Sequence, residues 1–211
     1  MERSHYVGVD LGQAHDPTAI CVVDRCAELL GVDAATREPL LEVWYELRFL
    51  ERVALGTPYP DVVARVRSIA ERLTPRPELV VDGTGVGRPV VDLLRGGEYL
   101  LHPVAIVSGG KARASEGWWH VPKRDLVAGL VVLFQRGELR IAASLRDADA
   151  LANELLNFRV KVSNSGNESY GNWRDADHDD LVLAVALACW RAARSLPGQL
   201  AGVRALPMIS L

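Results

Sequence analysis

Val7-Gly8-Val9-Asp10-Leu11-Gly12 is an apolar run that ends on an aspartate. Two more stretches repeat that arrangement: Leu79-Val80-Val81-Asp82-Gly83-Thr84-Gly85, and His178-Asp179-Asp180-Leu181-Val182. The first two read as buried strands and the third as the start of a helix. A carboxylate at the end of a buried strand is costly to keep charged unless a positive group lies near it. Three such carboxylates brought together make a divalent-metal site.

Outward from these runs, the order of elements follows from periodicity. Tyr6 to Leu11 and Thr18 to Val23 are apolar strands separated by a turn-like Gly12 to Pro17. In the strand Leu40 to Leu50, Val43, Tyr45 and Leu47 alternate with Glu42, Trp44 and Glu46. The expectation is an antiparallel meander, with an irregular loop between Arg25 and Pro39. The period then changes. Val62, Val63, Val66, Ile69, Ala70 and Leu73 recur at helical spacing, with Asp61 near the start and Pro75 as the stop. A strand from Glu78 to Asp82, a short helix from Pro89 to Arg95 and a strand from Pro103 to Val107 follow. Such alternation calls for parallel strands with helices packed on the sheet.

Ser108 to His120 is polar, basic and glycine-bearing, and a helix from Lys123 to Gln135 follows Pro122. The pattern continues with a short strand at Leu139 to Ile141 and a helix from Leu145 to Leu156. A β-hairpin between Phe158 and Trp173 and a closing helix from Asp179 to Ala193 complete it. The whole is an α/β domain over 1–195: a three-strand meander, then parallel strands in a mixed central sheet flanked by helices. Residues 196–211, with Pro197, Gly198 and Pro207, form a loosely attached tail. This order matches the ribonuclease H-like fold. There Asp10 and Asp82 lie on neighbouring strands, and the closing helix brings Asp179 or Asp180 to them.

Composition limits the alternatives. A chain of 211 residues with 49% hydrophobic and 24% charged residues is globular and fits one domain. No apolar run is long enough to span a bilayer, and no secretory signal is present. Cys21, Cys26 and Cys189 are odd in number and lack zinc-ribbon spacing; Cys21 and Cys189 read as buried thiols, which with the missing signal places the chain in a reducing cytoplasm. A net charge of −3 excludes a protein that coats nucleic acid by charge alone. It leaves room for a nuclease, whose acidic ligands lower the net charge themselves.

Phosphodiester hydrolysis needs an activated nucleophile and a stabilised leaving oxygen, which two divalent ions about 3.5–4 Å apart supply. Carboxylate oxygens suit Mg²⁺ or Mn²⁺. Asp10 would bridge the ions, with Asp82 on one and Asp179 on the other. Asp180 would be an outer ligand or would support one, and Asp16, in the loop after the first strand, is within reach. Singly, Asp10 and Asp82 also read as turn residues and Asp179 as a helix cap; their joint occurrence in one fold order favours the metal site. A calcium loop over Asp175 to Ala186 fails, because Asp180 stands at the glycine position and Ala186 at the closing glutamate. His178 reads equally as a phosphate contact and as an exposed helix-start histidine. Asp92, Asp147 and Asp149 read as solvated helix residues.

Gly83-Thr84-Gly85-Val86-Gly87 lacks the lysine of a P-loop, and Ser108-Gly109-Gly110-Lys111 lacks its other glycine and hydroxyl, so no ATPase motif is present. Lys111, Arg113, Lys123 and Arg124, interleaved with Trp118, Trp119 and His120, are the nucleic-acid candidates. They read equally well as a solvated basic loop whose tryptophans cover the core edge. Arg159 and Lys161 form a weaker second patch.

Asp10 within Gly8-Val9-Asp10-Leu11-Gly12, the run Val81-Asp82-Gly83-Thr84-Gly85-Val86-Gly87-Arg88-Pro89-Val90, and His178-Asp179-Asp180-Leu181-Val182-Leu183-Ala184 resemble the C-terminal nuclease domain of tailed-phage large terminase subunits. The helix start at Val121-Pro122-Lys123 and the stretch Leu151 to Phe158 share the likeness, which covers about residues 6 to 194. The resemblance implies a Mg²⁺- or Mn²⁺-dependent endonuclease that cuts concatemeric viral double-stranded DNA during genome packaging. It would work beside a packaging ATPase and a portal in the host cytoplasm, with no membrane involved. Asp10, Asp82 and Asp179 match the catalytic acids, with Asp180 adjacent and Asp16 where some members carry an acid. Large terminases carry an ATPase domain ahead of the nuclease, and none precedes Tyr6 here. The expectation is a separated nuclease domain or an independent gene product, with translocation supplied by another polypeptide.

Three rivals share parts of the pattern. A RuvC-type junction resolvase predicts preference for branched DNA and a dimer. An actin-like ATPase or sugar kinase opens on the same Gly8 to Gly12 motif, but the chain is short for two lobes and the His178-Asp179-Asp180 helix would go unexplained. A non-catalytic docking module on the same fold would leave three mutually repelling acids without a use.

Overall fold

The computed structural model describes residues 1–12, 16–85, 87–162, 168–172 and 179–195. Its elements run β1 (Glu2–Asp10), β2 (Ala19–Val32), β3 (Pro39–Arg52), α1 (Tyr59–Ala70), β4 (Glu78–Asp82), α2 (Gly87–Leu94), β5 (Leu100–Val107), β6 (Arg113–Ser115) and β7 (Trp118–Pro122). They continue with α3 (Lys123–Gln135), β8 (Leu139–Ile141), α4 (Ala148–Asn157), β9 (Phe158–Val162), β10 (Glu168–Asn172) and α5 (Asp180–Ala192). The main sheet has the order β6-β7-β5-β4-β1-β2-β3-β8, and β9 and β10 form a separate pair. β1, β2 and β3 are the antiparallel meander, and β4, β5 and β7 extend the sheet parallel to β1.

Alternate residues of the central strands feed two cores. Tyr6, Cys21, Val23, Val80, Val104 and Val121 pack with α3, α4 and α5 on one face. Val7, Val9, Ile20, Val22, Leu79 and Val81 pack with α1 and α2 on the other. Because both faces are covered, these strands read as unbroken apolar runs. α5 is buried almost all round, with only Arg191 of its thirteen residues partly exposed. Apolar residues around its whole circumference are what a core helix requires. Cys21, Cys26 and Cys189 are free and buried, and burial pushes the Cys21 thiol up to about 12. Among the described residues no helix is long and apolar enough to cross a membrane.

The structure corrects two parts of the sequence reading. The segment between Arg25 and Pro39 is not an irregular loop. β2 continues to Val32 and β3 begins at Pro39, with Cys26 opposite Trp44 and Glu28 opposite Glu42. The turn between them is closed by Asp33, whose Oδ1 accepts the N–H groups of Ala35 at 2.9 Å and Thr36 at 2.8 Å. This outer ribbon exposes Leu29, Leu30 and Val32, so no inside–outside alternation marks it as strand. Ser108 to His120 likewise contains β6 and most of β7, turning at Glu116 and Gly117, both with positive φ. Elsewhere the bounds agree or shift by a few residues. The β9–β10 pair has the expected hairpin register, Phe158 opposite Asn172. The tail 196–211 lies outside the described residues.

The N-terminal end of β1, far from Asp10, carries an ionic anchor. His5 Nδ1 lies 2.7 Å from Asp24 Oδ1, and Nε2 lies 2.9 Å from the Thr74 carbonyl. Donating to both oxygens needs the imidazolium form, so the Asp24 hydrogen bond raises the His5 pKa above 6.5 against the opposing effect of burial. A raised histidine pKa contributes stability that is full below pH 6.5 and is lost as pH climbs through the folded-state value. The melting temperature should therefore fall more between pH 6.5 and 8.5 in wild type than in His5→Asn. Parallel profiles would remove His5 from the account.

Candidate metal and nucleic-acid site

β1 and β4 are parallel neighbours, with Val9 opposite Val81, so the next residue of each strand, Asp10 and Asp82, ends side by side at the C-terminal edge. That edge, where adjacent parallel strands end, is where open α/β sheets place their ligands. Asp82 is oriented by the loop that follows it. Its Oδ1 accepts the Thr84 N–H at 2.9 Å and the Thr84 hydroxyl at 2.5 Å. The Thr84 hydroxyl in turn accepts the Ile106 N–H at 2.8 Å, which ties the loop to β5. Gly83 is required here, since a Cβ would lie 2.5 Å from the Trp118 ring.

α5 delivers the other acids. Asp179 is its N-cap residue and Asp180 its first. Asp179 Oδ2 accepts Lys123 Nζ at 2.7 Å. Asp180 is buried and paired with Arg52, Nε to Oδ2 at 2.8 Å and Nη2 to Oδ1 at 3.2 Å. The Asp10 carboxyl is held well above the usual carboxylate range, first by burial and then by the charges of Asp82, Asp179 and Asp180, while Lys123 pulls it down. Asp82 is also raised, chiefly by burial, against the Thr84 hydrogen bonds and Lys123. The structure thus brings Asp10, Asp82, Asp179 and Asp180 into one electrostatic cluster with Lys123 inside it.

The donor set fits a hard divalent cation, being all carboxylate oxygen with excess negative charge. Among the described residues no group of three acids already stands at ligand spacing around one point. The Lys123 ammonium is the cation that holds Asp179.

Asp16 is exposed on the loop before β2 and lines a cavity of about 240 Å³ with Gly12, Thr18 and Tyr59. His178 lies outside the described residues, as do the side chains of Arg159 and Lys161. Lys111, Arg113 and Arg124 are exposed along the edge formed by β6 and the start of α3. Arg124 Nη2 donates to the Gly110 carbonyl at 2.8 Å. The paired tryptophans point to opposite faces, as consecutive strand residues must. Trp119 packs edge-on against Trp190 in the core at 5.4 Å, whereas Trp118 lies half-buried under Arg88, whose guanidinium carbon is 5.5 Å from its ring.

Sequence reading missed two residues of the site, Arg52 and Glu154. Arg52 contacts both Asp180 and the buried Glu154. Burial, then Asp180, raises the Glu154 carboxyl to about 7. Asp147, expected to be merely solvated, accepts the Arg52 backbone N–H at 3.0 Å. The one local signal was the position of Glu154 in the terminase-like stretch Leu151 to Phe158.

No protein-family model and no curated protein matches this sequence. Solved structures do. The large terminase nuclease from thermophilic phage G20c, solved with bound magnesium, matches at 24% identity and a TM-score of 0.60, over 89% of this chain and 80% of that one. The large terminase nuclease domain of bacteriophage SPP1 with bound Mn matches at 13% identity and 0.51, over 89% and 86%. The HK97 bacteriophage large terminase matches at 17% and 0.53, over 90% of this chain and 40% of that one. The chain therefore has the fold of the phage large-terminase nuclease domains, the ribonuclease H-like fold that the order of its elements implies.

Proposed function

We propose that this protein is a divalent-metal-dependent endonuclease that hydrolyses DNA phosphodiester bonds, of the kind found in the large terminases it resembles. The observation that carries the reading is the meeting of Asp10, Asp82 and Asp179, from two adjacent parallel strands and one buried helix, where the charges of Asp82 and Asp179 oppose ionisation of Asp10. Asp10, Asp82 and Asp179 would hold two Mg²⁺ or Mn²⁺ ions, with Asp16 an outer contributor from its loop. The bound ions would supply a nucleophile active at neutral pH and a stabilised leaving oxygen.

The chain's own residues supply the rest. Thr84 fixes one oxygen of Asp82 and so orients the other. Lys123 balances the acids and, standing beside Asp179, would contact a phosphate oxygen of the substrate. Lys111, Arg113 and Arg124 line an exposed edge suited to a DNA backbone, Trp118 would contribute only the part of its ring left uncovered by Arg88, and His178 would add a phosphate contact. The same reading carries a packaging ATPase and a portal as partners, in the cytoplasm of a host cell.

The test is a supercoiled plasmid incubated with pure protein. Nicked and linear products should form with Mn²⁺ or Mg²⁺ and stop on chelation. Intact plasmid with either ion would overturn the proposal.

A further inference from the structure

The helix that brings acids to the site begins with two of them, Asp179 and Asp180, and their surroundings divide their work. Asp179 has non-helical backbone angles as the N-cap and Asp180 is the first helical residue, and the two carboxylates have different partners. Asp180 turns toward β3, where the Arg52 guanidinium binds both its oxygens in a fork, at 2.8 and 3.2 Å. Asp179 pairs with Lys123 at 2.7 Å, and its charge acts on Asp10 more strongly than that of Asp180 does.

An N-cap aspartate ordinarily spends its side chain on the free N–H groups of its own first turn. Asp179 does not, for it makes no side-chain cap hydrogen bond. The capping bond comes instead from another helix: Glu154 of α4 accepts the N–H of Val182, the third residue of α5, at 3.1 Å through Oε2. Its other oxygen contacts Arg52. Arg52 is fixed in turn, since its backbone N–H is held by Asp147 and its carbonyl accepts Arg146 Nη2 at 3.4 Å. One chain of contacts thus runs from β3 through α4 to the first turn of α5.

We infer that Arg52 and Glu154 are positioning residues for the metal site, that Asp180 is their anchor, and that Asp179 is the ligand α5 provides. Glu154 takes over the cap so that the Asp179 carboxylate can face Asp10 and Asp82. This rests on the nuclease reading, and its test separates the two. Mn²⁺ binding is measured by titration calorimetry, and plasmid nicking is measured against Mn²⁺ concentration.

Glu154→Ala should weaken Mn²⁺ about tenfold, the usual lower cost of losing a group that holds a ligand in place. Maximal nicking at saturating Mn²⁺ should change much less. Glu154→Gln keeps a capping oxygen but turns an amide N–H toward Arg52, and should recover part of the affinity. Asp180→Asn should bind the wild-type number of ions with similarly reduced affinity, whereas Asp179→Asn should bind fewer. Arg52→Lys keeps the charge but loses the fork, and carries the same expectation as Glu154→Ala should that variant not fold. Wild-type affinity in both Glu154→Ala and Arg52→Lys, or ion loss in Asp180→Asn but not in Asp179→Asn, would overturn the inference while leaving a working nuclease. Wild type that binds no Mn²⁺ and nicks nothing would overturn the nuclease reading, and this inference with it.

Discussion

Asp10→Asn should raise the melting temperature of the metal-free protein and slow cleavage by orders of magnitude. The two effects have one cause. Burial, then Asp82, Asp179 and Asp180, hold the Asp10 carboxyl far above its ordinary range, with Lys123 only partly offsetting them. For an acid, a raised folded-state pKa means that the fold opposes the charged form, so at pH 7, where the unfolded chain ionises this group freely, Asp10 destabilises the fold. An asparagine of the same shape removes that repulsion. Relief of about 1 kcal/mol would raise the melting point of a domain this size by about 2–4 °C.

Divalent ions should stabilise wild type far more than the variant. Wild type should be stabilised by about 2.7 kcal/mol at a hundredfold excess over Kd, while the variant, lacking one of the proposed ligands, should respond little. Loss of about 4 kcal/mol of transition-state stabilisation corresponds to roughly a thousandfold slower cleavage. Melting curves with and without Mn²⁺, together with plasmid nicking, check all three expectations. A variant that melts lower than wild type without metal, or that cleaves at the wild-type rate, would remove Asp10 from the centre of the site.

How far the sequence reveals this arrangement depends on how local its causes are. The bounds of β4 are legible to the residue because Pro77 precedes it, Gly83 follows it, and both faces are apolar. The start of α3 is legible because Pro122 permits a helix to begin at Lys123. The pairing of Asp10 with Asp82 follows from fold order alone. The β2–β3 ribbon is not legible, since its ladder is satisfied by hydrogen bonds without burial and leaves no apolar period. Arg52 and Glu154 are illegible for another reason. Arg52 is 128 residues from Asp180 and 102 from Glu154, so only tertiary structure joins them. Lys123 reads as one more basic residue of a DNA-binding stretch, until α3 and α5 place its ammonium on Asp179.

The second large effect concerns Gly8, two residues before Asp10. β1 packs on α5 so closely that a Cβ on Gly8 would lie 2.1 Å from the Ala184 carbonyl oxygen and 3.1 Å from the Ala188 Cβ. The nearest obstacle is backbone inside a helix, which cannot rotate aside as a side chain can. Gly8→Ala must therefore push α5 off the sheet or bend β1. The cost should be about 3 kcal/mol, the upper end for overpacking a core. Any displacement of α5 moves Asp179 relative to Asp10, so cleavage should fall further than stability alone explains. Gly129 is the control. It lies within α3, and a Cβ there meets nothing within 4 Å. Gly129→Ala should stabilise by up to about 1 kcal/mol through helix propensity and leave cleavage unchanged. Urea unfolding of both variants, with plasmid nicking under conditions where each is folded, separates the two cases. A Gly8→Ala protein as stable and active as wild type would mean that β1 and α5 do not meet at this position, and the route by which α5 delivers Asp179 to the strand ends would have to be redrawn.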